Sequence, residues 1–343
     1  MVDIRSLSKM ALIQACEELD VKKFRANQLW EWLWQKSARS FDEMTNLSKD
    51  FRQKLSDKYT FNTLSIFQAQ KSSDKTIKYA FKLNDGFLIE GVLIPTSNRV
   101  TACISSQVGC SLSCTFCATG FMKRERNLRI DEIYDQVAIL KKEAEREYNI
   151  NLSNIVLMGM GEPLLNYANV IGGIEKVTAP DGLGISPQRI TLSTAGIAKM
   201  IKKLGDDQVR FNLALSLHSA NNKKRSAIMP INDSNSLEDL IESINYFYDK
   251  TNTRVTLEYC VINDINDDPL EAEELIAFAR QIKCKVNLIE YNPIDLAEFK
   301  SSSTEKIQRF ADYLEYNKVI VNIRRSRGKD IDAACGQLAN KVN

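Results

Sequence analysis

"TACISSQVGCSLSCTFCATG", residues 101–120, holds four of the eight cysteines in the chain: Cys103, Cys110, Cys114 and Cys117. The last three are spaced C-x3-C-x2-C, in a loop that follows a short apolar run. Structural zinc sites come as two Cys pairs or as pairs combined with histidines. Here there is no second pair, and His218 is the only histidine, so zinc fits poorly. A helix would place positions 110, 114 and 117 on one face as three core thiols, but Gly109, Ser111, Ser113 and Thr115 make a poor core helix. Three thiolates can instead hold three irons of a four-iron cubane and leave the fourth open to a substrate, much as catalytic zinc keeps an open position. What remains is whether Cys103 is a fourth ligand or does something else.

Outward from this stretch, apolar runs recur between helical patterns: "TACISSQ", "NIVLMGM", "RITLST", "FNLALSL", "RVTLEYCVI", "KVNLIEY" and "KVIVNIR". Helical patterns such as 131–148 and 236–249 separate them, which implies parallel βα units. Six or seven strands fall short of eight, so the expected core is a partial (β/α)6 barrel over 96–343, with its chemistry at the C-terminal strand ends. Upstream, "LSIFQAQ", "TIKYAFKL" and "FLIEGVLIP" alternate as strands, with "NDG" (84–86) as a turn. They predict a small β extension over 61–95. Residues 1–60 read as a helical accessory domain in which "FRANQLWEWLWQK" places Leu29, Trp30, Leu33 and Trp34 on one stripe. Trp30, Trp32 and Trp34 read as packing residues, although an aromatic and basic helical module also suits RNA contact.

With 343 residues, one barrel plus an accessory domain fits the chain length. The net charge is only +2, but Lys and Arg are bunched in "KSSDKTIK" (71–78), "MKRERNLR" (122–129) and "RRSRGK" (324–329), and bunching is what a polyanion partner responds to. Solvated faces are the competing reading of each run. Eight cysteines with no apolar signal segment at the start favour the reducing cytoplasm over a disulfide-stapled secreted protein. No window of about 18 apolar residues occurs, so no membrane span is expected.

The motif C-x3-C-x-aromatic-C, with Phe116 as the aromatic, resembles the signature of the radical-SAM superfamily. The segments "RANQLWEWLW", "MGMGEPLLN", "TLSTAGI", "LSLHSA", "MPIN", "YNP" and "DIDAACGQLA" together resemble the RlmN family of RNA methyltransferases, in order and over nearly the whole chain. The resemblance implies that Cys110, Cys114 and Cys117 hold one 4Fe-4S cluster and leave Cys103 spare. It implies that S-adenosylmethionine lies against Gly161, Glu162, Ser193, Ser216, Leu217, His218 and Asn292. It also implies that two molecules are used per turnover. The first methylates Cys335 by displacement, thiolate being the nucleophilic form, and the second supplies a radical that activates this methyl group toward C2 of an adenosine. That carbon is an electron-poor amidine carbon with no lone pair, so it cannot simply attack a sulfonium methyl. Release then needs a base, matched by Glu90 in "LIEGVLIP", and a thiol to form a transient disulfide with Cys335, matched by Cys103.

The implied substrates are an adenosine in the peptidyl-transferase centre of 23S rRNA and the adenosine 3′ to the anticodon in some tRNAs. Such a base must be splayed out to reach the barrel mouth, which gives the basic runs at 122–129 and 324–329 a role in phosphate binding. A flavodoxin- or ferredoxin-type electron donor and a monomeric state are also expected. Considered without the resemblance, Glu90 is a solvent-facing strand residue, Cys335 a packing thiol and His218 a scaffold histidine. Cys16, Cys260 and Cys284 match no motif and are expected to be packing residues. The nearest rival is a Cfr-type enzyme methylating C8, whose motif would carry alanines after the Glu where this chain has "GEPLLN". A non-catalytic iron-sulfur RNA-binding protein is the rival of another class, and it gives Cys335 and Glu90 no purpose.

Overall fold

The computed structural model describes residues 1–340, so the last three residues of the expected 96–343 core lie outside the described residues. One ten-stranded sheet organises the chain, and its spatial order is its sequence order. The strands are β1 (Ser65–Lys71), β2 (Ile77–Lys82), β3 (Leu88–Pro95), β4 (Val100–Cys103), β5 (Leu152–Leu157), β6 (Ile190–Thr194), β7 (Asn212–Ser216), β8 (Val255–Val261), β9 (Cys284–Glu290) and β10 (Val321–Arg324). β1 to β4 form an antiparallel meander. From β4 to β10 every pairing is parallel.

Each parallel strand needs a crossover, because strands running the same way cannot be joined by a tight turn. The helices are α1 (Lys9–Glu18), α2 (Arg25–Trp34), α3 (Lys49–Lys58), α4 (Ile130–Tyr148), α5 (Tyr167–Thr178), α6 (Ala198–Asp206), α7 (Asn222–Ile228), α8 (Leu237–Thr251), α9 (Pro269–Ala279) and α10 (Thr304–Tyr316). α4, α5, α6, α8, α9 and α10 cross between successive parallel strands, giving six βα units closed by a seventh parallel strand. This is the partial (β/α)6 barrel expected from the seven apolar runs. β8 shows why the runs are continuous rather than alternating: all seven of its residues are buried, since a parallel strand is covered on both faces. α8 starts at a capping box in which Ser236 Oγ accepts from Asp239 N at 3.2 Å and Asp239 Oδ2 accepts from Ser236 N at 3.0 Å. It ends on Asn252, in the left-handed region with φ 52°.

The strands expected as a β extension are β1 to β3, and they continue the barrel sheet rather than forming a sheet of their own. The accessory domain docks on α4 and α5 through Arg5 and α2. Arg5, 6% exposed, reaches Asp135 at 2.5 Å and Asp131 at 3.4 Å. Trp34 is buried edge-on against Tyr134, with ring centroids 5.0 Å apart. Trp30 and Trp32 are half-buried, and Lys176 of α5 sits 3.8 Å above the Trp30 ring, so the tryptophan stripe serves packing between accessory domain and barrel. Among the described residues, no helix is long and apolar enough to cross a membrane.

Candidate active site

The three-cysteine loop leaves the C-terminal end of β4 and is shaped by positions that only small residues tolerate. A Cβ on Gly120 would lie 2.5 Å from the Cys114 carbonyl oxygen, and one on Gly109, where φ is +75°, would lie 2.0 Å from that of Lys123. Thr115 N donates to the Ile228 carbonyl at 3.0 Å, which ties the loop to the end of α7. Burial pushes the Cys110 thiol up to about 11. It also raises Cys114, helped by Cys117 and Cys110, so the three sulfurs lie within electrostatic reach of one another. Among the described residues, no three His, Cys, Asp or Glu side chains converge on a point fit for a single ion. A cubane takes one thiolate per iron and asks for no such convergence, so a half-buried, thiol-only set suits a 4Fe-4S cluster better than an isolated metal.

Around this loop stand the strand ends of the barrel. Glu162, 3% exposed, accepts from Ala195 N at 2.7 Å and Leu164 N at 3.0 Å. Burial holds its carboxyl above the ordinary range despite these bonds. Gly161 has φ +93°, and a Cβ there would be 2.4 Å from the Gln107 side chain. Ser193 and Ser216 face each other at 3.3 Å between their hydroxyls. Leu217 is fully buried. His218 has φ 58°; its Nδ1 accepts from Cys260 N at 2.9 Å, and its ring meets Phe116 of the cysteine motif edge-on at 4.7 Å. Burial, aided by the Arg225 cation, pulls its imidazole down to about 3. The ring is therefore neutral, and with Nδ1 accepting, the proton is assigned to Nε2. Asn292 is 3% exposed, and its Oδ1, like the nearby Tyr291 hydroxyl, is buried without a hydrogen-bond partner. An orphaned buried acceptor among hydroxyls, a glycine cradle and a buried carboxylate fits a polar, zwitterionic ligand such as S-adenosylmethionine.

More than 200 residues downstream in sequence, Cys335 returns to the same place. The Gly336 carbonyl accepts from Ala118 N at 2.7 Å, the Leu338 carbonyl from Thr119 Oγ1 at 2.6 Å, and the Cys335 carbonyl from Asn292 Nδ2 at 3.2 Å. Cys335 is exposed, yet crowding by protein pushes its thiol up to about 11; the two facts agree if it faces an internal, solvent-reached hollow. Cys103 is 8% exposed at the end of β4. Burial, and secondarily Cys335, push its thiol up to about 12. The two thiols thus sit within range of each other.

Glu90 corrects the residue-level expectation of a solvent-facing strand carboxylate. It is 1% exposed and accepts from Ala339 N at 2.9 Å and Asn340 N at 3.1 Å. The buried Lys78 lies 3.4 Å from its other oxygen. Much of the basic bunching is also already matched by acids. Arg126 is 2.5 Å from Asp85 and 2.8 Å from Glu132. Arg325 and Lys329 share Glu290 at 2.7 and 2.8 Å. Lys123, whose side chain is 82% exposed, and Arg124 stay at the surface.

Arg225 was not singled out from sequence, and Arg324 only as the first residue of the basic run at 324–329. Arg225, fully buried, donates to the carbonyls of Ala195 at 2.6 Å, Leu217 at 3.1 Å and Ser216 at 3.2 Å, tying together the ends of β6 and β7. Arg324, held by Glu258 at 3.1 Å, lowers both the Cys103 and the Cys335 thiols against the effect of burial. Neither carries a sequence signal beyond a basic residue near a strand end. Cys260, expected as packing, is 8% exposed, with its backbone N–H spent on His218.

Comparison with known proteins agrees with this geometry. Residues 2–60 match the ribosomal RNA large subunit methyltransferase N-terminal domain and residues 104–276 the radical SAM superfamily. A Cytophaga hutchinsonii protein named "Probable dual-specificity RNA methyltransferase RlmN" is 59% identical over 98% of this chain and 93% of its own length. A Flavobacterium johnsoniae protein of the same name is 54% identical over 99% and 97%. The crystal structure of a radical SAM methyltransferase from Sphaerobacter thermophilus superposes with a TM-score of 0.93, 37% identity and coverage of 98% of this chain and 99% of that one. Streptococcus suis SuiB bound to S-adenosylmethionine, at 13% identity over 67% of this chain and 51% of its own, shares the fold with a TM-score of 0.50. Membership of the radical SAM superfamily implies a 4Fe-4S cluster and S-adenosylmethionine, for which the cysteine loop and the surrounding strand ends are suited. With the full-length identity to the curated relatives, it follows that the chain belongs to the RlmN family of radical-SAM RNA methyltransferases.

Proposed function

We propose that this enzyme methylates C2 of an adenosine in the peptidyl-transferase centre of 23S rRNA and of the adenosine 3′ to the anticodon in some tRNAs, as a monomer served by a flavodoxin- or ferredoxin-type donor. The observation that carries the reading is the placement of Cys335: its loop is stitched to the cysteine-motif loop on one side and to Asn292 on the other, with Cys103 in range. Once bound, the cluster and two molecules of S-adenosylmethionine per turnover supply the methyl group and the hydrogen-abstracting radical. Cys110, Cys114 and Cys117 hold the cluster. Glu162, Ser193, Ser216, Leu217, His218 and Asn292, with the cradle at Gly161, hold S-adenosylmethionine; the Glu162 carboxylate suits its ammonium, and neutral His218 offers one N–H.

Cys335 takes the methyl group on sulfur as the thiolate, and Arg324 opposes the burial that disfavours that form. One hydrogen poorer, the carbon on Cys335 would then join C2, linking protein and RNA, and the odd electron left on the adduct would need the bound cluster as its acceptor. Glu90 accepts the C2 proton, the Cys103 thiolate attacks the Cys335 sulfur, and the carbon so displaced takes up a proton to become the methyl group, releasing methylated RNA and leaving a Cys103–Cys335 disulfide. Cys103→Ala is expected to accumulate RNA covalently attached to Cys335, and Cys335→Ala to carry none. Equal amounts of RNA on the two variants would sink this mechanism. Mass mapping of the modified adenosine, with label at C8, would reverse the assignment of C2.

A further inference from the structure

β10 and the β1–β3 meander are the two ends of the open sheet, and the segment after β10 bridges them. Arg327 Nη2 donates to the Pro95 carbonyl at 3.0 Å, Gly328 N to Asp74 Oδ2 at 3.0 Å, and Ser72 Oγ to Asp330 Oδ1 at 2.6 Å. The chain then crosses the inner face of β2 and β3, where Lys78 and Glu90 project. In the β2–β3 register Ala80 lies opposite Glu90 and Lys78 opposite Val92, so Lys78 and Glu90 are diagonal neighbours on one face. Tyr79 and Phe81, on the other face, are buried.

We propose that Lys78 is a positioning residue which, paired with Glu90, clamps both ends of the loop that presents Cys335. Lys78 Nζ lies 3.4 Å from Glu90 Oε1 and donates to the Asp332 carbonyl at 3.4 Å, upstream of Cys335. Glu90 Oε2 accepts from Ala339 N and Asn340 N, downstream of it. Asn340 Nδ2 adds a bond to the Leu88 carbonyl at 2.7 Å. The side chains of Lys78 and Glu90 are only 5% and 1% exposed, so the loop covers the pair and the pair compensates each other's charge. A buried lysine set between a carboxylate and a carbonyl of the reactive loop is more than a solvated basic residue from the run at 71–78. Between the two anchors, the Asn292 and Ala118 contacts fix the height of Cys335 above the cysteine motif. The clamp fixes where its ends leave the sheet.

The proposal rests on the reading of Cys335 as the methyl acceptor, and two independent readouts separate them. In cluster-loaded protein, Lys78→Met should speed amide hydrogen exchange over 332–340 and slow methyl uptake at Cys335 from S-adenosylmethionine. A displaced nucleophile predicts a fall on the order of tenfold to a hundredfold. Lys78→Arg, which keeps a cation and donors, should restore most of both. Unchanged exchange and unchanged uptake in Lys78→Met would overturn the clamp, as would Lys78→Arg behaving no better than Lys78→Met. Should Lys78→Met fail to fold because Glu90 is left as an unpaired buried charge, the double variant Lys78→Met/Glu90→Gln removes both charges; it should retain the cluster and show the fast loop exchange, and native-like exchange there would equally overturn the proposal. Cys335→Ala is the separate control: methyl uptake persisting in it would refute the acceptor assignment, while the exchange readout would still judge the clamp.

Discussion

His218 gives the sharpest test of the site's electrostatics, because it is the only histidine in the chain. Its imidazole is pulled from 6.5 down to about 3 by burial and by the neighbouring Arg225. A depressed histidine favours the neutral folded state, so its contribution is fully present above the unfolded value. It is lost as pH falls below 6.5, where the unfolded chain takes up a proton and the folded one does not. The loss is about 1.4 kcal/mol at about pH 5.5 and approaches about 2 kcal/mol at about pH 5. Buried Glu162 and Asp135, both raised by burial, act with the opposite sign, so the wild-type curve alone does not isolate His218. His218→Asn does: an amide oxygen can replace Nδ1 as acceptor for Cys260 N, and asparagine tolerates the left-handed φ of 58°. Urea unfolding of both proteins at about pH 7.5 and 5.5, under reductant, should show wild type losing about 1.4 kcal/mol more than the variant over that interval. A stability gap equal at the two pH values would refute the reasoning. So would a single imidazole NMR resonance titrating near neutrality in the folded protein.

Iron content and the absorbance of anaerobically prepared protein should persist in Cys103→Ala and vanish in Cys110→Ala; cluster loss from Cys103→Ala would overturn the division of the four cysteines. Arg5→Met removes the cation paired with buried Asp135 at the junction of the accessory domain with α4, while Asp131 keeps Arg129, and should cost about 3–5 kcal/mol in urea unfolding. A loss below about 1 kcal/mol there would show that the pair contributes nothing net to the docking.

Local chemistry was the legible part. The seven apolar runs became the parallel strands, and where a strand is covered on both faces, as β8 is, burial writes itself into sequence as continuous hydrophobicity. The cysteine loop was readable because its spacing, glycines and serines all refuse a helix. What could not be read was any property set by chain that arrives from far away. Glu90 looked solvent-facing because the alternation of β3 reports only which face it takes; the cover over that face is the backbone of Ala339 and Asn340. Lys78 was lost in a basic run for the same reason. The other two runs looked like a phosphate-binding rim, but Arg126, Arg325 and Lys329 are spent on Asp85, Glu132 and Glu290, partners that charge bunching does not reveal.

How the Cys335 loop is held also bears on how it works. On the proposed route its sulfur must meet a methyl donor, an adenosine and Cys103 in turn, so the loop must be placed accurately and still be able to shift. Large apolar anchors would give the first and prevent the second, since packed cores do not deform continuously. The loop is instead small: Ala333, Ala334 and Leu338 are its buried apolar residues. Gly336, at φ +84°, stands where a Cβ would meet no atom closer than the Phe116 carbonyl oxygen at 3.5 Å, so the conformation rather than the space calls for glycine. The rest of its hold is polar, through Lys78, Glu90, Ala118, Thr119 and Asn292. A hydrogen bond contributes only about 0.5–1.5 kcal/mol net, so these contacts can be exchanged one at a time. Glu90 has the most to exchange. On the proposed route, a carboxyl that has accepted the C2 proton would be a weaker acceptor toward the two backbone N–H groups at Oε2, so proton capture would weaken the hold on the loop end.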